Sequence, residues 1–325
     1  MRLTKLFILI TFLSITVVSC KKDDDGSDVI EPVLRDKAEQ AIADDEAIIA
    51  YLQTHFYNQE DFENPSEGFD KVIKFDTISG ENANKTPLIE SDLLTSKVIT
   101  RDEVDYKIYI LKVREGAGDK PTFADSTYQN YRGELLNGVK FDQANTPLWF
   151  DLQGYISTAI SNGQAVLQKK GGVIPGFAAG VTEFREASGF TLNDDNTVKW
   201  NDDYGIGAIF FPSGLGYFAS ASGAIPAYSP LIFSFQLFGV NEADHDGDGI
   251  PSYMEDLDGD KNVFNDDTDG NNYPNNSDVD DDGDGTLTKN EITVNEDGTI
   301  TFPDNNGNGI PNYLDPEEFE DVNNI

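Results

Sequence analysis

The chain has 325 residues and a formal net charge of −36, with 59 Asp and Glu set against 23 Lys and Arg. That length allows two or three domains, and an apolar content of 38% suffices for at least one sizeable core. The negative field repels phosphate backbones, which disfavours nucleic-acid binding, and the single cysteine, Cys20, forbids an intrachain disulfide.

Residues 1–19 read as a secretion signal: Arg2 and Lys5 precede an uncharged run from Leu6 to Val18, and the small Ser19 precedes Cys20. The run is short for a membrane span, which needs about 20 apolar residues. Val17-Val18-Ser19-Cys20 resembles the lipobox of bacterial lipoproteins, which implies lipidation of Cys20 as the first mature residue. Acyl chains there anchor the chain to a membrane without spanning it, at about 0.8 kcal/mol per buried CH₂. Residues 20–35 form an acidic tether that begins Lys21-Lys22-Asp23-Asp24-Asp25. It is similar to the export signal that sends some Gram-negative lipoproteins to the outer face of the outer membrane. The expected location is therefore the cell envelope, as an outer-membrane lipoprotein facing the periplasm or the cell surface.

Residues 36–104 are expected to hold an N-terminal helix and a few strands. Residues 36–56 lack Gly and Pro and place Ile42, Ile49, Leu52 and Phe56 at helical spacing, with Ile48 beside the stripe. Short alternating pieces such as Val72-Ile73-Lys74-Phe75 suggest strands after it. From Tyr106 a strand is predicted that is apolar on much of both faces, with Tyr106, Ile108 and Ile110 alternating with Tyr109, Leu111 and Val113. The next 120 or so residues are rich in aromatics and Gly-Pro turns and end in the strand Leu231–Phe238, so antiparallel β structure with little helix is expected. After Asn241 the composition changes to Asp, Asn and Gly, which marks a domain boundary.

Within 105–241, four segments resemble the FKBP family of peptidyl-prolyl cis-trans isomerases in the family's order. They are Tyr131-Arg-Gly-Glu-Leu-Leu-Asn-Gly-Val-Lys-Phe141-Asp142, Val173-Ile174-Pro-Gly-Phe177, Pro212-Ser-Gly-Leu-Gly-Tyr217, and Ala224-Ile225-Pro226 followed by Leu231-Ile-Phe233. The resemblance implies an α+β fold in which an antiparallel half-barrel sheet wraps around a short helix. It implies a pocket for a proline ring lined by Tyr131, Phe141, Val173, Ile174, Phe177, Ile225 and Phe233, with Phe177 as its floor. Tyr217 and the Ile174 N–H would hold substrate carbonyls, and Asp142 would set the field beside the twisting bond. Phe177 stands where the family most often has Trp, Leu148 falls near a position often aromatic, and Ala221-Ser-Gly-Ala224 forms the flap. Extra residues at 154–172 and 191–203 are surface elaborations or a substrate-gripping insert.

The chemistry suits such residues. Rotation about an X-Pro bond breaks amide resonance against a barrier of about 18–20 kcal/mol. The twisted amide is less dipolar than the planar one, so a dry apolar pocket favours it. A thousandfold gain needs only about 4 kcal/mol of that preference. No cofactor is expected for catalysis, and the expected partners are proline-containing polypeptides and, through the lipid, a membrane.

Residues 242–325 carry the charge: from 244 onward there are 24 Asp and Glu against 2 Lys. Asp244, Asp246, Asp248 and Glu255 occupy positions 1, 3, 5 and 12 of a loop with Gly249 at position 6, a spacing that wraps Ca²⁺ in oxygens. Asp280, Asp282, Asp284 and Glu291 repeat it around Gly285. Asp304, Asn306, Asn308 and Asp315 form a third copy, and Asp256, Asp258, Asp260, Asn262 and Asp267 a looser one. Ile250, Leu287 and Ile310 are expected to add backbone carbonyls. The copies are too closely spaced for paired EF-hand helices and look more like thrombospondin type 3 or dockerin repeats. The expected tail is core-poor and folded by structural Ca²⁺. His55 and His245 are read as incidental, since Ca²⁺ prefers oxygen.

Two functions compete. One is a lipid-anchored folding catalyst acting on exported proteins; the other is a non-catalytic proline-peptide binder or calcium-dependent surface adhesin.

Overall fold

The computed structural model describes residues 34–319 and 321–322; the signal segment, Cys20 and the acidic tether lie outside the described residues. The described residues from 35 onward make one compact unit.

Helix α1, Lys37–Thr54, starts where the Asp36 carboxylate accepts hydrogen bonds from the N–H groups of Ala38 and Glu39. Its buried face is Gln40, Ala41, Asp44, Ile48, Tyr51 and Leu52, whereas Ile42 is 63% exposed. The apolar stripe expected through Ile42 is thus rotated, because the polar Gln40 and Asp44 occupy the buried turn and bond to each other at 2.6 Å. The helix also stops earlier than expected. His55–Tyr57 is extended and pairs antiparallel with Phe75–Thr77, so only Phe75 of the Val72–Phe75 piece is in a strand.

The centre is an antiparallel sheet of β1 (Leu94–Arg101), β2 (Val104–Arg114), β3 (Ser126–Leu135), β4 (Lys140–Asp151), β7 (Gly205–Phe211) and β8 (Leu231–Asn241), in the order β1-β2-β7-β8-β3-β4. β1 lies in the segment assigned to the N-terminal region, yet it pairs with β2 from Leu94–Leu111 to Arg101–Val104. The hairpin turns on Asp102 and Glu103, both with φ near +55° (50° and 61°), which a sequence without Asn-Gly or Asp-Gly does not advertise. β2 is apolar on both faces because both faces are covered. Tyr106, Ile108 and Ile110 join one core with Ile209, Phe211, Phe233 and Phe235. Tyr109 and Leu111 join a second core with Ala208, Phe210 and Ile232, closed by Ile48, Tyr51 and Leu52 of α1.

A second helix, α2 (Pro175–Val181), covers the first face. It lies close to the sheet, since a Cβ at Gly176 would come within 2.3 Å of the Phe211 ring and one at Gly180 within 2.4 Å of Ile209.

Each inserted segment is a small hairpin. β5 (Tyr155–Ser161) pairs with β6 (Gln164–Lys170), and Phe190–Leu192 pairs with Val198–Trp200.

The tail is not without a core. Ile250, Ile292 and Tyr313 are buried together and packed by Met254, Ile300, Phe302 and Leu314, so residues over 60 positions apart share one small cluster. No helix among the described residues is long and apolar enough to cross a membrane.

Candidate active site and candidate metal loops

The sheet brings most of the expected pocket residues together. Seven of the nine, namely Tyr131, Phe141, Val173, Ile174, Phe177, Ile225 and Phe233, are in the first core or packed against it. Phe233 of β8 is the hub: its ring centroid lies 4.9 Å from Phe177, 5.4 Å from Phe141 and 5.8 Å from Tyr131. Register explains this, because β8 pairs Phe233 with Gly133, and a Cβ at Gly133 would meet the Phe141 ring at 2.4 Å. Phe177 is 3% exposed, so it closes the bottom of the bowl. Ile174 is the N-cap of α2, with its carbonyl accepting from the N–H groups of Phe177 and Ala178. Ile225 is held in a tight loop by reciprocal backbone bonds with Ser222 of 2.9 and 3.0 Å.

Asp142 and Tyr217 stand at the rim, both exposed. The Tyr131 hydroxyl donates to Asp142 Oδ2 at 2.5 Å, and the Gln143 N–H donates to Asp142 Oδ1 at 2.8 Å. Burial, the bond to Asp142 and the nearby Tyr217 all push the Tyr131 phenol pKa up, so Tyr131 stays a neutral donor. Tyr217 follows the Ser213–Leu215 turn, whose Ser213 N–H and Oγ donate to Asp44 Oδ2 of α1 at 2.8 and 2.6 Å. The bowl gains Phe211, stacked 5.8 Å from Phe233, and Phe150, 5.5 Å from Tyr131, neither of which falls in a matched segment. Leu148 is 52% exposed and outside it. The arrangement offers a cluster of aromatic and aliphatic side chains with the exposed Tyr217 phenol and Asp142 carboxylate beside it.

Two clefts elsewhere have volumes of about 390 and 200 Å³; the larger is lined by groups such as Asn58, Glu60 and Lys85, the smaller by Tyr51, Asp76 and Glu134. Neither touches the bowl residues.

In the tail, one backbone pattern recurs five times. The residue at position 6 has positive φ in every copy: Gly249, Lys261, Asn272, Gly285 and Gly309 lie between 68° and 99°. The carboxylate at position 1 accepts from the N–H of that residue in each copy, from Asp244, Asp256, Asp267, Asp280 and Asp304. The loop headed by Asp267, with Asp269, Asn271 and Asp278, escapes the Asp-and-Gly pattern because Asn272 takes the place of glycine. Asp267 therefore heads its own loop. Asp266 beside it is buried, has one oxygen without a donor, and feels the charges of Asp258 and Asp256 of the preceding loop. Position 7 of the fourth loop is Thr286, not Leu287: its N–H donates to Asp284 as those of Ile250 and Ile310 do to Asp248 and Asn308.

Several acids meet. One oxygen from each of Asp244, Asp246 and Asp248 lies within 4.8 Å of the others, and the same holds for Asp256, Asp258 and Asp260 and for Asp280, Asp282 and Asp284. Buried oxygens of Asp246, Asp248, Glu255, Asp280, Asp282, Asp284 and Glu291 have no donor at all. Acceptors gathered without donors fit a cation. The 304–315 loop is different, since the Asn306 and Asn308 amides donate to Asp315 Oδ2 at 2.9 and 2.7 Å and satisfy it internally.

A family described as BamM C-terminal matches residues 245–306, that is, most of these loops. No curated protein matches the chain. Solved structures that resemble it include a peptidyl-prolyl cis-trans isomerase from Pseudomonas syringae (21% identity, TM-score 0.31, covering 47% of this chain and 84% of that one). FkpA from Escherichia coli is similar at 22% identity and TM-score 0.31, covering 47% of this chain and 53% of FkpA. The N-terminal domain of FKBP42 from Arabidopsis thaliana is similar at 17% identity and TM-score 0.31, covering 46% and 94%.

The tail is docked on the sheet domain, and His245 is part of the dock. Its Nδ1 is 2.8 Å from Ser252 Oγ and its Nε2 2.9 Å from Asp151 Oδ2 at the end of β4, while its ring stacks on Tyr155. The inserted hairpin β5–β6 supplies the rest. The Ile156 N–H donates to Ser277 Oγ at 2.9 Å, the Thr158 hydroxyl bonds to the Tyr273 hydroxyl, and Lys169 Nζ sits 4.1 Å from the Phe264 ring centroid. The hairpin's strands run directly into Gly171, Gly172 and then Val173 of the bowl.

Proposed function

We propose that this chain is a peptidyl-prolyl cis-trans isomerase of the FKBP type that acts on exported polypeptides and is tethered to the envelope through a lipid on Cys20. The observation that carries the reading is the convergence of Tyr131, Phe141, Phe177 and Phe233 in one aromatic cluster, with the exposed Asp142 bonded to the Tyr131 hydroxyl. A proline ring enters the bowl against Phe177, water is shed, and the twisted amide is favoured over the planar one. Tyr217 at the rim donates to a carbonyl of the bound peptide, and Asp142 fixes the Tyr131 phenol. The chain's residues need supply only about 4 kcal/mol for a thousandfold gain.

Residues 242–325 hold structural Ca²⁺ in this reading, supported by the donorless carboxylate oxygens of the 244–255 and 280–291 loops. The ion organises the tail and takes no part in the isomerisation.

The decisive experiment is a protease-coupled isomerisation assay of the purified chain on Leu-Pro and Phe-Pro peptides. Acceleration proportional to protein concentration supports the reading. Binding of proline peptides without acceleration replaces the catalyst by a proline-peptide binder.

A further inference from the structure

Asp281 sits at position 2 of the 280–291 loop, a position that the loop pattern leaves without a ligand. The other copies carry His245, Leu257, Thr268 and Asn305 there. In three of the copies the backbone N–H at position 2 donates to the side chain at position 9 as it does in Asp281: His245 to Ser252, Thr268 to Asn275 and Asn305 to Asn312, at 2.9–3.1 Å, against 3.2 Å from Asp281 to Thr288. The backbone is placed alike, so the acid at 281 is a choice of side chain and not a demand of the turn.

That side chain is 2% exposed, and it meets Asp248 and Glu255 of the first loop, which are 2% and 1% exposed. One oxygen from each of the three lies within 4.8 Å of the others. Both oxygens of Asp281, both of Glu255 and Oδ2 of Asp248 are buried without any donor. Five acceptor oxygens shut away together repel one another and lose their hydration unless a positive charge joins them. Ligand oxygens at about 2.3–2.6 Å from one Ca²⁺ lie up to about 5 Å apart across the ion, which the observed spacing meets. An all-oxygen set of this size suits Ca²⁺ better than Mg²⁺, which demands about 2.1 Å contacts and keeps its waters.

We infer that Asp248, Glu255 and Asp281 form one divalent-cation site shared between the first and fourth loops, with Asp281 as the ligand that closes it. The inference rests on the reading that the 244–255 loop binds Ca²⁺, and it adds that the ion ties together segments 26 to 33 residues apart in sequence. The tail thereby has a clamp as well as separate beads.

The test is calcium titration of the full chain by calorimetry, with native mass spectrometry counting bound ions, for the wild type, Asp281→Asn, Glu255→Gln and the double variant. We expect Asp281→Asn to lose one ion or to weaken one site at least tenfold, and Glu255→Gln to lose the same ion, so that the double variant loses no more than either single one. The 280–291 site, read through Glu291→Gln, stays titratable in Asp281→Asn. An unchanged count and affinity in folded Asp281→Asn overturns the shared site while leaving calcium binding intact, as does loss of two different ions from the two single variants. A wild type that binds no Ca²⁺ overturns the underlying reading instead. Should Asp281→Asn fail to fold, Glu255→Gln with Asp281 present decides: loss of an ion whose removal leaves the 280–291 loop protease-resistant argues against sharing, and loss that exposes both loops argues for it.

Discussion

The His245 imidazole bridges two parts of the chain, with Nε2 2.9 Å from Asp151 Oδ2 on the sheet side and Nδ1 2.8 Å from Ser252 Oγ on the tail side. Asp151 Oδ1 accepts from the N–H groups of Gln153 and Gly154 at 3.1 and 2.6 Å, so the carboxylate also shapes the turn that enters the inserted hairpin. A residue that looked incidental in the sequence is thus part of the joint, because its role depends on a partner 94 positions away.

His245→Ala removes two part-buried hydrogen bonds and a ring stack, and we expect a loss of about 1–3 kcal/mol in the docking of tail on sheet. The fold of the sheet itself is unaffected. Hydrogen exchange read by mass spectrometry checks this: protection should fall at 155–170 and at 244–255 and be unchanged in β2 and β7. Loss of protection spread evenly over the chain would show that His245 acts on global stability instead.

Chelation extends the same argument. If the tail loosens without Ca²⁺, the hairpin loses its contacts with Ser277, Tyr273 and Phe264. The proposed chemistry of the bowl uses no metal, but the bowl is joined to the tail through this hairpin. The docked hairpin runs into Val173, so EGTA should raise exchange at 155–172 and shift KM for a proline peptide more than kcat. Identical kinetics with EGTA and with millimolar Ca²⁺ would show that the hairpin holds its place unaided.

At the bowl, Asp142→Ala and Tyr217→Phe are expected to lower turnover by up to about a hundredfold, or roughly 1–3 kcal/mol of barrier, with the fold intact because both side chains are exposed. Phe177→Ala is a different experiment. That ring is 3% exposed between Phe233 and Phe235, and its loss should cost about 3–5 kcal/mol of stability along with activity. Thermal melts beside kinetics separate the two outcomes, and unchanged turnover in both rim variants removes the rim from the mechanism.

Helix α1 reaches the rim through Asp44. Replacing Asp44 by Ala leaves the Ser213 N–H and hydroxyl buried without their acceptor, at a cost of about 1–3 kcal/mol. Since Tyr217 follows that turn, peptide affinity should fall as well. A melt that drops while affinity stays constant would confine Asp44 to holding α1.

What was legible followed from local periodicity for the elements and from the resemblance of four segments for the site. The strand from Tyr106 declares itself because apolar residues on both faces need cover on both sides, and the order of the four matched segments places the bowl on β3, β4, α2 and β8. The face of α1 is misread because Asp44 is buried for a partner 169 residues away, and no hydropathy pattern predicts a buried acid. The β1–β2 turn and the Asp267 loop are hidden for a shared reason. Both place non-glycine residues at positive φ, Asp102, Glu103 and Asn272, where turn rules look for glycine.

The last expectation concerns protons in the metal-free tail. Burial, with neighbouring carboxylates adding to it, pushes Asp246 up to about 8, Asp248 to about 7, Asp282 to about 6 and Glu291 to about 8. In an unfolded chain these groups titrate near about 4. Between those values the folded tail binds more protons than the unfolded one, so its stability falls as pH rises and is greatest below about pH 4–5. In EGTA the tail should therefore melt at a lower temperature at pH 8.5 than at pH 5.5. Calcium inverts the order, because the ion binds the ionised carboxylates and replaces the protons, so its affinity climbs over the same range. Differential scanning calorimetry at pH 5.5, 7 and 8.5, with EGTA and with Ca²⁺, reads both slopes. A metal-free tail that grows steadily more stable toward pH 8.5 would mean that these acids are hydrated and apart when no cation is bound.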